Sequence, residues 1–401
     1  MSLHYDPVRL VLGGEDLAIV ESYEIREGIL NQPSSFAIRL GNAAVTRELL
    51  AKYPPNTQFQ LYIGAAPIQY GFTDGPDTGD AGGATLVNFE GRDLGARIHD
   101  AYVSADLSFP ADTTFTELLR IALKAVGLPD AFIHPDNNAN RKSHVGKTIV
   151  ATAPTIEETT LEDGSAGPQQ IVPGTTRTVF QTVTAKFGTR WGEFLKTQFD
   201  HGGIFWWADC SGGFVITAPN PNQEPVYRIV RKRGQSESAN VLGHKFRNNI
   251  GRRFTKCIVA GHGGGRNFGR SKNHGEWIDA EMAALLGGDD VKTLQVHDPK
   301  ARDPKAAAAM ARRKIAEANR NGWQLNYKMA GHSAPSLTGG GDARAIWTPD
   351  TMVEVDDDEL GIHGLFYVEA VTHTRLRKTE STVHLMRPQD LIFADPGSEP
   401  T

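Results

Sequence analysis

Short runs in which every second residue is apolar, each closed by glycine, set the narrowest limit on how this chain folds. Val8, Leu10 and Leu12 alternate ahead of Gly13-Gly14, Phe36, Ile38 and Leu40 ahead of Gly41-Asn42, and Phe59, Leu61 and Ile63 ahead of Gly64. A period of two puts one set of side chains on one side of an extended backbone, so these runs predict half-buried antiparallel strands. Tyr70, Phe72, Leu86, Val87 and Phe89 carry the pattern across a glycine-rich turn expected from Gly75 to Gly83. Near the other end Trp323, Leu325, Tyr327 and Met329 alternate strictly, and strands are predicted at Met352 to Val355, Gly364 to Thr374 and Thr382 to Met386. Charged turns, Asp356-Asp357-Asp358-Glu359 and Arg377-Lys378-Thr379, separate the last three, and strand patterning also covers Val226 to Ala260.

Helical spacing interrupts the strands at four places. Thr46 to Tyr53 reads as a short helix stopped by Pro54-Pro55. Thr114 and Glu117 have capping-box spacing ahead of Phe115, Leu118, Leu119, Ala122 and Val126. Trp191, Phe194, Leu195 and Phe199 share one face of a helix closed near Gly202-Gly203, and Ile204 to Trp207 with Phe214 to Thr217 read as a hairpin behind it. The fourth runs from an Asp303 cap through Pro304 and an alanine run to Asn321-Gly322. The polar stretches 134–178 and 266–300 read as long connections, the second with one apolar patch at Met282 to Leu286. The fold class expected is therefore α+β, mainly β.

A chain of 401 residues and 43.6 kDa calls for two to four domains. No apolar run approaches the ~20 residues of a bilayer span, and the start, Met1 to Asp6, has neither the basic nor the apolar part of a secretory signal, so the chain is expected to stay where it is made. Cys210 and Cys257 lie far apart in different elements, which suits a reducing compartment. The net charge of -5 removes the broad electrostatic footprint of a nucleic-acid binder. One basic run, Arg228 to Arg233, stands against it and reads either as a solvated strand edge or as a contact with an acidic partner.

Catalytic patterns are incomplete. His262-Gly263-Gly264-Gly265 has the letters of an esterase oxyanion loop, yet no G-x-S-x-G follows, since Gly269 to Asn273 fails at its last position. Gly146-Lys147-Thr148 resembles the end of a phosphate loop, but Arg141 stands where its first glycine is needed. The 13 histidines form no H-E-x-x-H and read as isolated, and Asp356 to Glu359 lacks the alternation and glycine of a calcium loop. No catalytic, metal or cofactor residue is assigned. Paired carboxylates for glycan hydrolysis stay open, because sequence gives no distances. The aromatic cluster at Trp206 and Trp207 reads as core packing or as a sugar platform, and a free carbohydrate-binding module would leave the long alanine helix unexplained.

Taken in order, these features resemble the baseplate hub family of contractile phage tails, the Mu-type tail protein and late control protein D group. The resemblance is carried by Val8 to Gly14 with Ser34 to Leu40, by Phe89 to Leu94, by Trp191 to Leu195 with the hairpin, and by the alanine helix followed by Met329 to His332, Ile346 to Val355, Leu360 to Ile362 and Phe366 to Val371. It implies two tail-tube-like β-barrel domains with an inserted α/β region, divided as 1–105, 106–222, and 223–262 with 303–390, plus an insertion loop at 263–302 and a tail at 391–401. It further implies a non-enzymatic hub: a homotrimer forming a ring that joins the hexameric tail tube protein to the trimeric central spike protein, with baseplate wedge or tape-measure proteins as further partners. DNA would pass through the lumen without specific binding, no membrane would be involved, and the chain would reside in the virion tail baseplate after assembly in the bacterial host cytoplasm. Asp356, Asp357, Asp358 and Glu359, with Arg228, Arg231 and Arg233, are the expected partner contacts, and no cofactor is expected. The alternative is a tail-associated cell-wall or polysaccharide hydrolase.

Overall fold

The computed structural model describes residues 6–17, 21–30, 33–40, 46–81, 84–110, 113–129, 131–134, 183–202, 204–217, 219–232, 241–261, 274–298, 301, 304–338 and 343–391. Most of the polar stretch 134–178, the Asp303 cap, the 146–148 and 262–265 motifs, Arg233 and most of the tail lie outside the described residues.

The first block is β1 (Val8–Leu12), β2 (Glu15–Leu17), β3 (Ser22–Gly28), β4 (Ser35–Leu40), α1 (Thr46–Lys52), β5 (Gln58–Ile63), β6 (Ala66–Ala81) and β7 (Ala84–Asp93). Its core gathers the alternating residues of the sequence, Leu10, Leu12, Phe36, Ile38, Leu40, Phe59, Leu61 and Ile63 among them. Gly91 shows how closely they fit: a Cβ there would lie 2.6 Å from the Phe36 ring. The expected turn after Phe72 is instead strand. β6 runs on to Ala81 past a bulge between Thr73 and Gly75, and its outer half is polar because it reaches beyond the core.

A separate α/β unit follows, with α2 (Gly95–Asp100), β8 (Leu107–Phe109), α3 (Phe115–Ala125), β9 (Ile133–His134), β10 (Val183–Ala185), α4 (Trp191–Gly202), β11 (Phe205–Ala208) and β12 (Phe214–Thr217). The Thr114 hydroxyl accepts from the Glu117 amide at 3.1 Å, as the capping spacing predicts. Phe115, Leu118, Leu119, Trp191, Leu195, Phe199, Trp206 and Phe214 share one core, so Trp206 is packing and not an open platform.

The third part contains β13 (Pro225–Arg231), β14 (Val241–Asn248), β15 (Lys256–Ala260), β16 (His274–Ile278), α5 (Ala280–Leu286), β17 (Thr293–His297), α6 (Pro304–Gly322), β18 (Trp323–Ala330), β19 (Ser333–Pro335), β20 (Arg344–Ile346), β21 (Thr351–Asp357), β22 (Ile362–Arg375) and β23 (Thr379–Met386). Where an insertion loop was expected at 263–302, two strands and a helix fold: β16 and β17 flank β15 in a three-stranded sheet. α6 lies across that sheet so closely that a Cβ on Gly275 would come within 2.0 Å of the Ala308 nitrogen. The alanine run is thus a matter of space as well as helix propensity. Arg253, fully buried, ties this unit together through Asn319 (2.9 Å) and a two-pronged bond to Glu281, which also accepts from Arg387 (2.6 Å).

The two strand-rich parts do not form separate barrels. They merge into one 13-stranded sheet of order β14-β18-β23-β22-β3-β4-β7-β6-β5-β1-β2, with β21 on β22 and β13 on β21. No ring of strands closes among the described residues, because β14 and β2, at opposite ends of the order, do not pair with each other. No described helix is long and apolar enough to cross a membrane.

Candidate assembly surfaces

β13 and β21 run parallel, with Arg228 opposite Glu354, Val230 opposite Asp356 and Arg231 opposite Asp357. That register brings the basic run and the acidic turn, far apart in sequence, into one ion-pair ladder. Arg228 meets Glu354 at 3.5 Å and Asp356 at 3.8 Å; Lys232 meets Asp356 at 2.6 Å and Asp358 at 3.2 Å; Arg231 meets Asp357 at 3.6 Å and also binds Glu359. Lys232 and His363 both bond Asp356 and hold its carboxyl below its ordinary range. Asp356, Asp358 and His363 cluster as cation ligands would, but the Lys232 ammonium already supplies the positive charge there. Asp357 has a different role. It is fully buried and accepts from the Tyr327 hydroxyl (2.7 Å) and the backbone amides of Glu359 and Leu360. Asp357 therefore holds the turn, whereas Asp356, Asp358 and Glu359 face outward to the basic residues.

A second joint, β3 on β22, links the two halves of the large sheet. Cross-strand register lines up Met329, Ser381, His373, Ile25, Phe36 and Gly91 in one row. Ser381 and His373 are therefore direct neighbours, and His332 reaches them from the turn after β18. The Ser381 hydroxyl lies 2.9 Å from Nδ1 of both histidines and 2.9 Å from the Gly331 carbonyl, while Tyr23 meets His332 Nε2 at 2.7 Å. Ser381 donates to Gly331, which leaves its oxygen to accept from the imidazole Nδ1 groups, themselves 3.3 Å apart, and Tyr23 meets the other nitrogen of His332. Burial keeps both histidines neutral, driving each down to about 3, and raises Glu27 to about 8. Glu27 Oε2 and His373 Nε2 lie 3.5 Å apart, and neither has a hydrogen-bond partner among the described residues.

Glu27, His373 and Ser381 thus have the order of a hydrolytic triad without its access. Ser381 and His373 are both 0% exposed, and the hydroxyl is committed to a carbonyl. No local motif marks this cluster, because each histidine stands alone in the sequence. Counting back from the tight turn at Arg375 to Thr379 places 373 opposite 381, and that was the available signal.

Below the joint lies a cavity of about 340 Å³ where the first block, β11 and the 344–351 segment meet, lined by Glu27, Gln69, Asp93, Trp207, Arg344 and Asp350 among others. Asp93 accepts from the amides of Ser34 and Gly95 (2.8 Å each), while burial raises its carboxyl to about 7. Burial pushes the Cys210 thiol on its wall up to about 12.

The ends of the large sheet are unlike its middle. Among the described residues β14 pairs only with β18, and from Leu242 to Asn248 it is open on both faces apart from Gly243, with Leu242 48% and Phe246 40% exposed. At the other end β2 is three residues long.

No protein-family profile and no curated protein matches the chain. Solved structures do. A 43 kDa tail protein of prophage MuSo2 from Shewanella oneidensis superposes with a TM-score of 0.70 at 15% identity over 96% of this chain and 99% of its own. A tail protein from Neisseria meningitidis MC58 does so with a TM-score of 0.68 at 16% identity over 99% and 100%. A type VI secretion component of E. coli, described as similar to bacteriophage T4 tail proteins, gives 0.50 at 10% identity over 98% of this chain and 80% of its own. The chain has the fold of phage tail proteins from end to end.

Proposed function

We propose that this chain is a structural hub of a phage-type tail baseplate or related injection machine, closing as a trimer between a hexameric tail tube and a trimeric central spike. The observation that supports this best is the end-to-end likeness to tail proteins of a chain whose two strand-rich halves are joined edge to edge through β3 and β22. If each half acts as one tube-type unit, three copies present six such units upward and three whole chains downward, which reconciles sixfold and threefold partners. The halves then correspond to 1–105 and to 223–262 with 303–390, and the chain is a virion component.

The charged ladder is the proposed contact for neighbouring baseplate proteins, with Asp356, Asp358 and Glu359 beside Arg228 and Arg231 as one composite patch. Its charges are largely balanced within the chain, so it would orient a partner more than attract one. A net charge of -5 suits a lumen that lets DNA pass without holding its phosphates. The hydrolase reading finds its best geometry in Glu27, His373 and Ser381, and their burial weighs against it.

The test is the native mass of the purified protein, alone and with tube and spike partners. Three times 43.6 kDa is expected in the assembled state. A stable twofold dimer inside an assembled particle overturns the hub reading, and peptidoglycan turnover abolished by a single substitution establishes the hydrolase instead.

A further inference from the structure

We infer that β14 of one copy adds to the outer half of β6 of the next, continuing the large sheet head to tail from chain to chain. The inference rests on the ring reading and specifies its interface. A long strand open along its edge and on both faces, carrying two half-exposed apolar side chains, is a pairing site waiting for cover.

Length and charge choose its partner among the free edges. β2 has three residues, and its Glu15 and Asp16 are already paired with Lys52 and Arg9. β13 is basic, like β14 itself. The outer half of β6, Gly75 to Ala81, is bonded among the described residues only to β7, is seven residues long against eight in β14, and is acidic in sequence. Among the described residues no ion pair engages Lys245 or Arg247 on β14, or Asp77 on β6 and Glu90 opposite Gly75 on β7.

Register decides whether these charges would meet. Tracing the cross-strand partners from β14 to β7 puts Phe246 on the same face as Leu325, Phe36 and Phe89, which is the core face. Lys245 and Arg247 take the other face, and so do Glu90 and Asp77. A sheet extended from one copy to the next therefore puts the two cations on the face that carries Asp77 on the adjoining strand and Glu90 one strand further in, and lays Phe246 alongside the core-facing edge of the hairpin. Pro76 offers no backbone N–H, which blunts the β6 edge against indiscriminate pairing and leaves charge to select the partner. Because the two edges differ, the contact is heterologous and generates a ring or a filament, not a twofold dimer.

Single-cysteine variants Lys245→Cys and Asp77→Cys of the full chain test this under mild oxidation, the native Cys210 and Cys257 being buried. Mixed, they should give disulfide-linked pairs, and each alone should give none. The charge-reversed variant Lys245→Glu/Arg247→Glu should lose at least about tenfold in assembled fraction and regain it on mixing with Asp77→Lys/Glu90→Lys. Assembly by native mass without cross-linking, or cross-linking of Lys245→Cys to itself, overturns the edge pairing and leaves the ring. A monomer at every concentration and with every partner overturns both.

Discussion

Two joints hold strands of the same sheet together across long intervals of sequence, and they are built from opposite materials. At β3–β22 the contact is buried: neutral histidines, a serine and a tyrosine bond one another, with no formal charge needed. At β13–β21 it lies largely at the surface, where Arg228, Arg231 and Lys232 face Glu354 and the acidic turn. The first joint should therefore answer to burial and protons and the second to salt. Buried polar groups lose most when one partner is removed, whereas exposed ion pairs exchange one good environment for another.

The largest effect should come from Trp347, which is fully buried against Tyr227 and whose amide bonds the His332 carbonyl beside the first joint. Trp347→Ala should cost about 3–5 kcal/mol by denaturant titration; a loss under 1 kcal/mol would mean the joint does not depend on that packing. Next comes Ser381→Ala, which removes the hydroxyl that both imidazole Nδ1 groups share. A loss of about 1–3 kcal/mol for each unsatisfied group is expected, with no dependence on salt.

Protons should act on the buried joint from both sides of neutrality. His332 and His373 sit at about 3 when folded, so their contribution is full above their unfolded value and is lost as pH falls from about 6.5. Glu27 is raised to about 8, so its contribution is full below the ordinary carboxylate range and is lost as pH rises toward 8. The joint's own contribution should therefore peak at roughly pH 6.5, with its two histidines outweighing its one carboxyl on the acid side. His373→Gln should flatten the acid limb; an unchanged limb would assign it to other groups.

The smallest effect is expected at the ladder. Lys232→Ala should cost only ~0.2–1 kcal/mol and less as salt is added. Reversing Asp356 and Asp358 to lysine should weaken assembly with tube or spike more at low salt than at high salt. Normal assembly at low salt would reduce the ladder to an internal staple.

Most strands were legible because alternation reports directly on a sheet with one buried face. The helices were legible through caps and spacing, as at Thr114 and Glu117. What escaped had no apolar signature. β16 buries one residue of five, since α6 covers a single face of a small sheet, and the outer half of β6 reaches past any core. The separate barrels failed for a different reason: periodicity identifies strands but not which edges stay apart, and the β3–β22 pairing fuses the two sets. The charged segments were legible as individual features. That they face each other depends on a parallel register between strands more than a hundred residues apart, which no local pattern encodes.

The β3–β22 joint also sets a timetable. Tyr23 and His332 are separated by 309 residues, and β22 follows later still. At ~5–20 residues per second of synthesis, the edge of β3 waits roughly 15 s to a minute before its partner leaves the ribosome. During that interval the first block is an unfinished sheet in a crowded cell. Glu24 and Arg26, paired with each other along that strand, give the waiting edge a charged surface that discourages chance pairing. Premature release of a chain ending before β22 would leave that edge open for good, so truncated products should aggregate or be degraded, not linger as soluble fragments.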